Sequence, residues 1–413
     1  MTTHAIHLDT SLAWAKGGYT VQVHLGSDRA PAHLVLDTGS STLAVSPGAY
    51  NPERDATLAA TPWAQDIQYG GGAWAGPVLR SSLALGEGRH ARRIDDALFA
   101  LIETPGELFR QAHGIFGLAY RALDPAHDIS GLLQQRGVQP ALSWPWRLGA
   151  DAASLRTEIL QQPRVDLTPA FSALEEEGVV RDQFALLVQR AVVHVQAEGL
   201  SDHALAADPL NRGTLVLGGG VEEQSLYHGG FQDIRVVHDL YYNAHLRGLS
   251  VGDGPRVAAP ALAAKDVDRH GSNALLDTGS SFLVLEATLY AAVMAAFAAH
   301  DARLPALVER FGAAFKTGQG LPNHAIDHRH WPDLHLHFES PTGGDTAVRI
   351  AASHYWPHNA LNAGQALFLL MPGLAHFPSQ SILGLPLFAG RYAVFDRRAG
   401  GLGTVRLAQG RRP

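Results

Sequence analysis

The chain has no cysteine, which excludes disulfides, thiolate metal sites, iron–sulfur clusters and cysteine nucleophiles together. Its chemistry must come from oxygen and imidazole groups. Lysine is almost as scarce: Lys16, Lys265 and Lys316 are the three present, and every other basic residue is arginine. The formal net charge is −7 with no concentrated basic stripe, so no electrostatic site for nucleic acid is expected. Long apolar runs are also missing. The longest Ala-rich stretch, Leu289–Ala299, has 11 residues and is too short to span a bilayer, so no membrane partner is expected. The first 16 residues carry neither a basic n-region nor an apolar h-region, and the expectation is a cytoplasmic protein without a secretory leader.

What is present describes a folded chain. The 413 residues are 46% hydrophobic and 17% charged, the balance of a packed globular protein large enough for more than one domain. With 43 Gly and 23 Pro, turns and short strands are favoured over long helices. The expected class is all-β with few short helices. Two helices are legible: one capped at Thr168, with Pro169 in its first turn and a stop at Gly178, and an Ala-rich one from Thr288 to His300.

One segment recurs. Leu34–Val45 reads LVLDTGSSTLAV and Ala274–Leu285 reads ALLDTGSSFLVL, with D-T-G-S-S identical and apolar, strand-like flanks on both sides. A spacing of 240 residues is far too long for a solenoid, whose repeats run about 20–50 residues, and implies two related domains. Each half carries a later apolar-apolar-Gly segment, Gly114-Ile115-Phe116-Gly117-Leu118 and Ser381-Ile382-Leu383-Gly384-Leu385. A glycine there would let one backbone pass close to the loop that holds the aspartate.

On these residues the chain resembles the pepsin-like aspartic peptidases, the bilobal family with two catalytic aspartates. Ile67-Gln68-Tyr69-Gly70-Gly71-Gly72 is similar to the family's flap hairpin, and Leu217-Gly218-Gly219-Gly220 to the strand leading out of its first lobe. Tyr392-Ala393-Val394-Phe395-Asp396 is similar to its closing strands. The resemblance implies a pseudo-symmetric pair of β-barrel-like lobes with the active-site cleft between them, set at residues 1–225 and 226–413. It is closest in kind to a bacterial-type member lacking signal, prosegment and disulfides, acting as a monomer with no cofactor. The implied partners are a peptide or protein substrate and pepstatin-type inhibitors.

Two carboxylates suit such chemistry. Brought within hydrogen-bond reach, Asp37 and Asp277 could not both ionise easily and would share a proton, as this family's dyad does. The ionised member would then activate a water and the protonated member would serve the carbonyl oxygen. By resemblance, Thr38 and Thr278 brace the two loops, Gly39 and Gly279 admit the turn and the substrate backbone, and Ser40 and Ser280 place hydroxyls on the aspartates. Tyr69 and Gly70 belong to the flap, while Val35, Leu108 and Ile115 line the pocket beside the scissile bond. Cleavage between hydrophobic residues at acidic pH is the implied specificity.

Some positions depart from the pattern. The family commonly has a Trp seven residues after the first aspartate, bonded to the flap Tyr; here that position is Ala44. Trp63 and Trp74 are the candidates to replace it. Residues 46–66 and 138–165 align poorly with the family, and the Trp144-Pro145-Trp146 cluster has no counterpart in it. The 22 histidines, five of them between His324 and His337, raise a metal site, since His335 and His337 would face the same way on a strand. No acidic residue stands at a recognisable ligand spacing. Two other classes remain open: a catalytically silent peptide-binding module on the same scaffold, and a glycosidase, whose chemistry also uses two acids. The glycosidase reading does not account for two identical D-T-G-S-S turns.

Overall fold

The computed structural model describes residues 5–69, 72–86, 91–103, 109–149, 152–373 and 378–412. It is mostly β, with 38% strand and 21% helix, as expected. The chain separates into two compact units, one of residues 1–8 and 20–181, the other of residues 9–19 and 182–413. The last change of unit falls between Arg181 and Asp182. Strand β1 (Ile6–Ser11) straddles the two units, whereas β11 (Gln183–Val188) and β12 (Arg212–Leu217) pair with each other, and β11 pairs along its whole length with β25 (Arg391–Asp396).

The first unit is built from β2 (Thr20–Leu25), β3 (Ala30–Asp37), β4 (Leu43–Val45), β5 (Ala59–Tyr69), β6 (Gly72–Leu85), β7 (Arg92–Leu101), β8 (Gly114–Gly117), β9 (Pro125–Asp128) and β10 (Arg164–Asp166). The long β5–β6 hairpin is antiparallel, with Ile67 opposite Trp74 and Tyr69 opposite Gly72. Helices α1 (Ser130–Gln135), α2 (Ala152–Leu160) and α3 (Ala170–Glu176) complete the unit. The expected cap of α3 shifts by one: Pro169 is the N-cap and no side chain bonds there, while Gly178 ends the segment at φ +70°.

The second unit continues through α4 (Asp202–Ala207), β13 (Tyr227–His238), β14 (Asn243–Ala244), β15 (Leu246–Val251), β16 (Val257–Ala258) and α5 (Ala264–His270). The second D-T-G-S-S loop lies between β17 (Ala274–Leu276) and β18 (Leu283–Leu285), ahead of α6 (Ala287–His300). The Glu286 side chain caps α6 by accepting the N–H groups of Thr288 and Leu289, and Leu289, Val293 and Phe297 form its buried stripe. Next comes α7 (Arg303–Phe315), whose Pro305 is tolerated because first-turn N–H groups have no helical partner. Beyond it lie β19 (Leu321–Pro322), β20 (Leu334–Glu339), β21 (Asp345–Ile350), α8 (Ala352–Tyr355), β22 (Gln365–Ala366) and β23 (Leu370–Pro372). The unit closes with β24 (Ser381–Leu383), α9 (Leu385–Phe388), β25 and β26 (Thr404–Gly410). Among the described residues no helix is long and apolar enough to cross a membrane.

Candidate active site

Asp37 ends β3 and Asp277 directly follows β17, each at the mouth of the same three-strand device. In the first unit β8 runs parallel to β3, with Asp37 opposite Gly117, and antiparallel to β4, with Leu43 opposite Phe116. In the second unit β24 runs parallel to β17 and antiparallel to β18, with Leu283 opposite Leu383. A strand from later in the chain is thus threaded between the two arms of each loop. The threading requires glycine. A Cβ on Gly117 would lie 2.4 Å from the Ser41 carbonyl carbon, and one on Gly384 would lie 2.3 Å from the Ser280 carbonyl oxygen. Both obstacles are backbone and cannot swing aside. The close passage expected from the repeated apolar-apolar-Gly segments is therefore present in both units.

Within the loops, the N–H of the glycine two residues on donates to each carboxylate, Gly39 to Asp37 Oδ1 at 2.7 Å and Gly279 to Asp277 Oδ1 at 2.8 Å. Ser40 Oγ donates to Asp37 Oδ2 at 2.6 Å, in the position expected for it. Ser280 does not match that expectation. Its Oγ donates to the Phe282 carbonyl at 3.1 Å and accepts from the Phe282 N–H at 3.3 Å, so it closes a local turn instead of reaching its aspartate. Thr38 and Thr278 are both buried. Asp37 is buried and Asp277 half-buried.

Tyr69 stands at the end of β5, and its environment answers the question posed by Ala44. The fully buried Trp74 on β6 packs with Ala44, Ala100 and Ile115, against which Ile67 and Tyr69 also pack. Trp63 belongs to a separate cluster around Val78 and Ala126. Trp74 therefore fills the space that the small Ala44 leaves, arriving from the hairpin itself. Burial, and next the negative charge of Asp37, push the Tyr69 phenol well above its usual range, so it stays a neutral donor. The Trp74 indole and the Ser40 hydroxyl oppose that shift, yet among the described residues neither Tyr69 Oη nor Trp74 Nε1 completes a hydrogen bond. Phe109 meets the Tyr69 ring edge-on at 6.4 Å.

Val35 and Ile115 are buried register partners on β3 and β8. Leu108 and Gly70 lie outside the described residues. A residue not anticipated from the sequence is Asp124, a buried carboxyl whose Oδ1 accepts Gln65 Nε2 at 2.7 Å from the flap strand. Burial pushes it up to about 6, against the pull of that amide. Nothing in the local sequence around Asp124 signals this.

The histidine-rich stretch is dispersed. His335 and His337 do share a face of β20, as the strand period requires, but His337 Nε2 lies 3.1 Å from Ser250 Oγ. His328 and His358 stack at 4.2 Å and each bonds a backbone carbonyl. Among the described residues no group of three or more His, Asp or Glu side chains has the geometry to hold a metal ion.

Known proteins are similar in sequence to parts of this chain. The model of the family described as xylanase inhibitor C-terminal matches residues 241–403, which include the second D-T-G-S-S loop and its threaded strand. A beta-secretase of Strongylocentrotus purpuratus is 20% identical over 94% of this chain, and the chain spans 66% of that protein's length. One relation thus covers the second loop and the other nearly the whole chain, in keeping with the duplicated loops described above. Both relations support the resemblance to pepsin-like aspartic peptidases drawn from the two D-T-G-S-S segments.

Proposed function

We propose that the chain is an aspartic endopeptidase that hydrolyses peptide bonds between hydrophobic residues at acidic pH. The observation that carries this reading is the duplicated site: two D-T-G loops on the same threaded three-strand device, each carboxylate held by the N–H two residues on. In the proposed reaction Asp37 and Asp277 share one proton. The ionised member takes a proton from a water, the water oxygen attacks the scissile carbonyl, and the protonated member donates to the carbonyl oxygen. The tetrahedral species then collapses with proton transfer to the leaving amine. Tyr69, neutral and apolar-packed, borders the substrate, and Ile115 and Val35 favour apolar residues beside the cleaved bond.

A second reading, a silent peptide-binding module, has two observations in its favour: the matched family model is named for an inhibitor, and Ser280 is turned from its aspartate. One experiment separates them. An internally quenched peptide with two adjacent large apolar residues is incubated from pH 3 to 8, with and without pepstatin, and with EDTA in parallel. The peptidase reading expects acid-side cleavage that pepstatin blocks and EDTA spares. Pepstatin binding without cleavage at any pH favours the silent module, and loss of cleavage with EDTA contradicts the aspartic mechanism.

A further inference from the structure

The flap strand has two faces, and the family resemblance concerns one of them. Along β5 the side chains alternate. Ile67 and Tyr69 face the cluster with Ala44, Trp74 and Ile115, and Gln65 bonds Asp124. Ala64 and Asp66 face the other way, toward α1 and α2. There Ala64 and its hairpin neighbour Ala75 pack against Ile129, Leu133, Leu155 and Ile159. Asp66 accepts a hydrogen bond from Arg156 Nη1 on α2. Its side chain is only 3% exposed while that of Arg156 is 38% exposed, so the carboxylate is held inside and the guanidinium reaches in from the rim. His127 on β9 is also an electrostatic neighbour of Asp66, and its Nδ1 lies 2.9 Å from the Gln162 carbonyl just past α2. The layer is also tied to itself, because Arg136 at the end of α1 pairs with Glu158 on α2.

An unpaired carboxylate at that depth would be costly, so the pair fixes where α2 and β5 meet more firmly than an exposed ion pair does. We propose that helices α1 and α2 are a fixed backing for the β5–β6 hairpin, and that Arg156 is a positioning residue which, through Asp66, sets where Tyr69 stands beside Asp37. Arg156 touches no reacting group; it acts one strand-face away. The kinetic consequence rests on the peptidase reading, while the mechanical coupling does not.

The test compares the full-length wild type with Arg156→Ala, Arg156→Lys, Asp66→Asn and the double variant Arg156→Ala/Asp66→Asn. Amide hydrogen exchange of residues 61–69 is measured without substrate, alongside kcat, KM and pepstatin Ki. Arg156→Ala and Asp66→Asn are each expected to speed exchange in that strand and to raise KM and Ki by about fivefold, with kcat changed less than about twofold. The double variant is expected to be no worse than the worse single one, and Arg156→Lys to recover most of the loss. Unchanged exchange and unchanged Ki in an active enzyme would overturn the proposal, as would a fall in kcat with KM unmoved. Faster exchange in variants of a wild type that neither cleaves peptide nor binds pepstatin would uphold the coupling and overturn the peptidase reading instead.

Discussion

Around Asp37 the carboxylate accepts from the Gly39 N–H and from Ser40 Oγ, whereas around Asp277 the Gly279 N–H bonds the carboxylate and Ser280 Oγ turns to the Phe282 carbonyl. Five identical letters thus take two different side-chain arrangements. The backbone of the loop is common to both because D-T-G and the threaded glycine dictate it. The serine rotamer differs because the surroundings do: Ser41 Oγ donates to the Tyr120 carbonyl, while its counterpart Ser281 donates to the carbonyl of Gly17. The next residue is a buried Thr42 in one loop and a half-exposed Phe282 in the other. The duplicated motif therefore specifies where each aspartate sits, and the rest of each unit decides what else reaches it.

If the backbone device is common to both loops, its glycines should be equally intolerant. Gly117→Ala and Gly384→Ala are each expected to cost about 3 kcal/mol, because both added methyls meet backbone atoms. Gly131→Ala on α1, where an added Cβ meets nothing within 4 Å, serves as the control and should be neutral or slightly stabilising. Urea unfolding of the three variants checks this, and a tolerated Gly384→Ala would break the symmetry.

The units should also respond oppositely to pH. Asp124 in the first unit has its carboxyl raised to about 6 by burial, so its stabilising protonated form is complete below the usual carboxylate range and is lost as pH rises toward 6. His354 in the second unit is lowered to about 4, chiefly by burial and then by Arg391 and Arg349, so stability is present at neutral pH and is lost as pH falls from about 6.5 toward 4. Asp124→Asn, which keeps an acceptor for Gln65, is expected to gain about 2 kcal/mol at pH 7 and nothing at pH 3.5. His354→Gln should flatten the acid limb instead. Thermal unfolding profiles from pH 3.5 to 8 report both slopes.

The smallest effect sharpens the comparison at the loops themselves. Ser40→Ala removes a hydrogen bond to a carboxylate and is expected to lower kcat about tenfold, while Ser280→Ala should change it less than twofold. Equal losses would mean that Ser280 swings onto Asp277 during turnover.

Much of this was legible in the amino-acid order. The two D-T-G-S-S segments, their apolar flanks and the later glycines signal both loops and the strand threaded through each, because a close backbone passage leaves a glycine as its trace. Helix α6 shows itself by its Ala-rich composition. Helix α7 is hidden by Pro305 and Gly312, although Leu304 and Phe311, seven apart, are its buried contacts. Helices α1 and α2 carry no motif, yet Ile129 with Leu133 and Leu155 with Ile159 have the four-residue spacing of a packed helical face. The role of Trp74 depends on hairpin register, which places it across from Ile67, and the rotamer of Ser280 depends on contacts with no local signature.

The proposed peptidase reaction requires both Asp37 and Asp277. Its most direct test is the cleavage rate of the quenched peptide at the pH optimum by Asp37→Ala and by Asp277→Ala, with melting temperatures measured alongside. Both variants are expected to stay folded and to lose activity by about a thousandfold or more. A folded variant of either kind that cleaves at the wild-type rate would contradict the shared-dyad account.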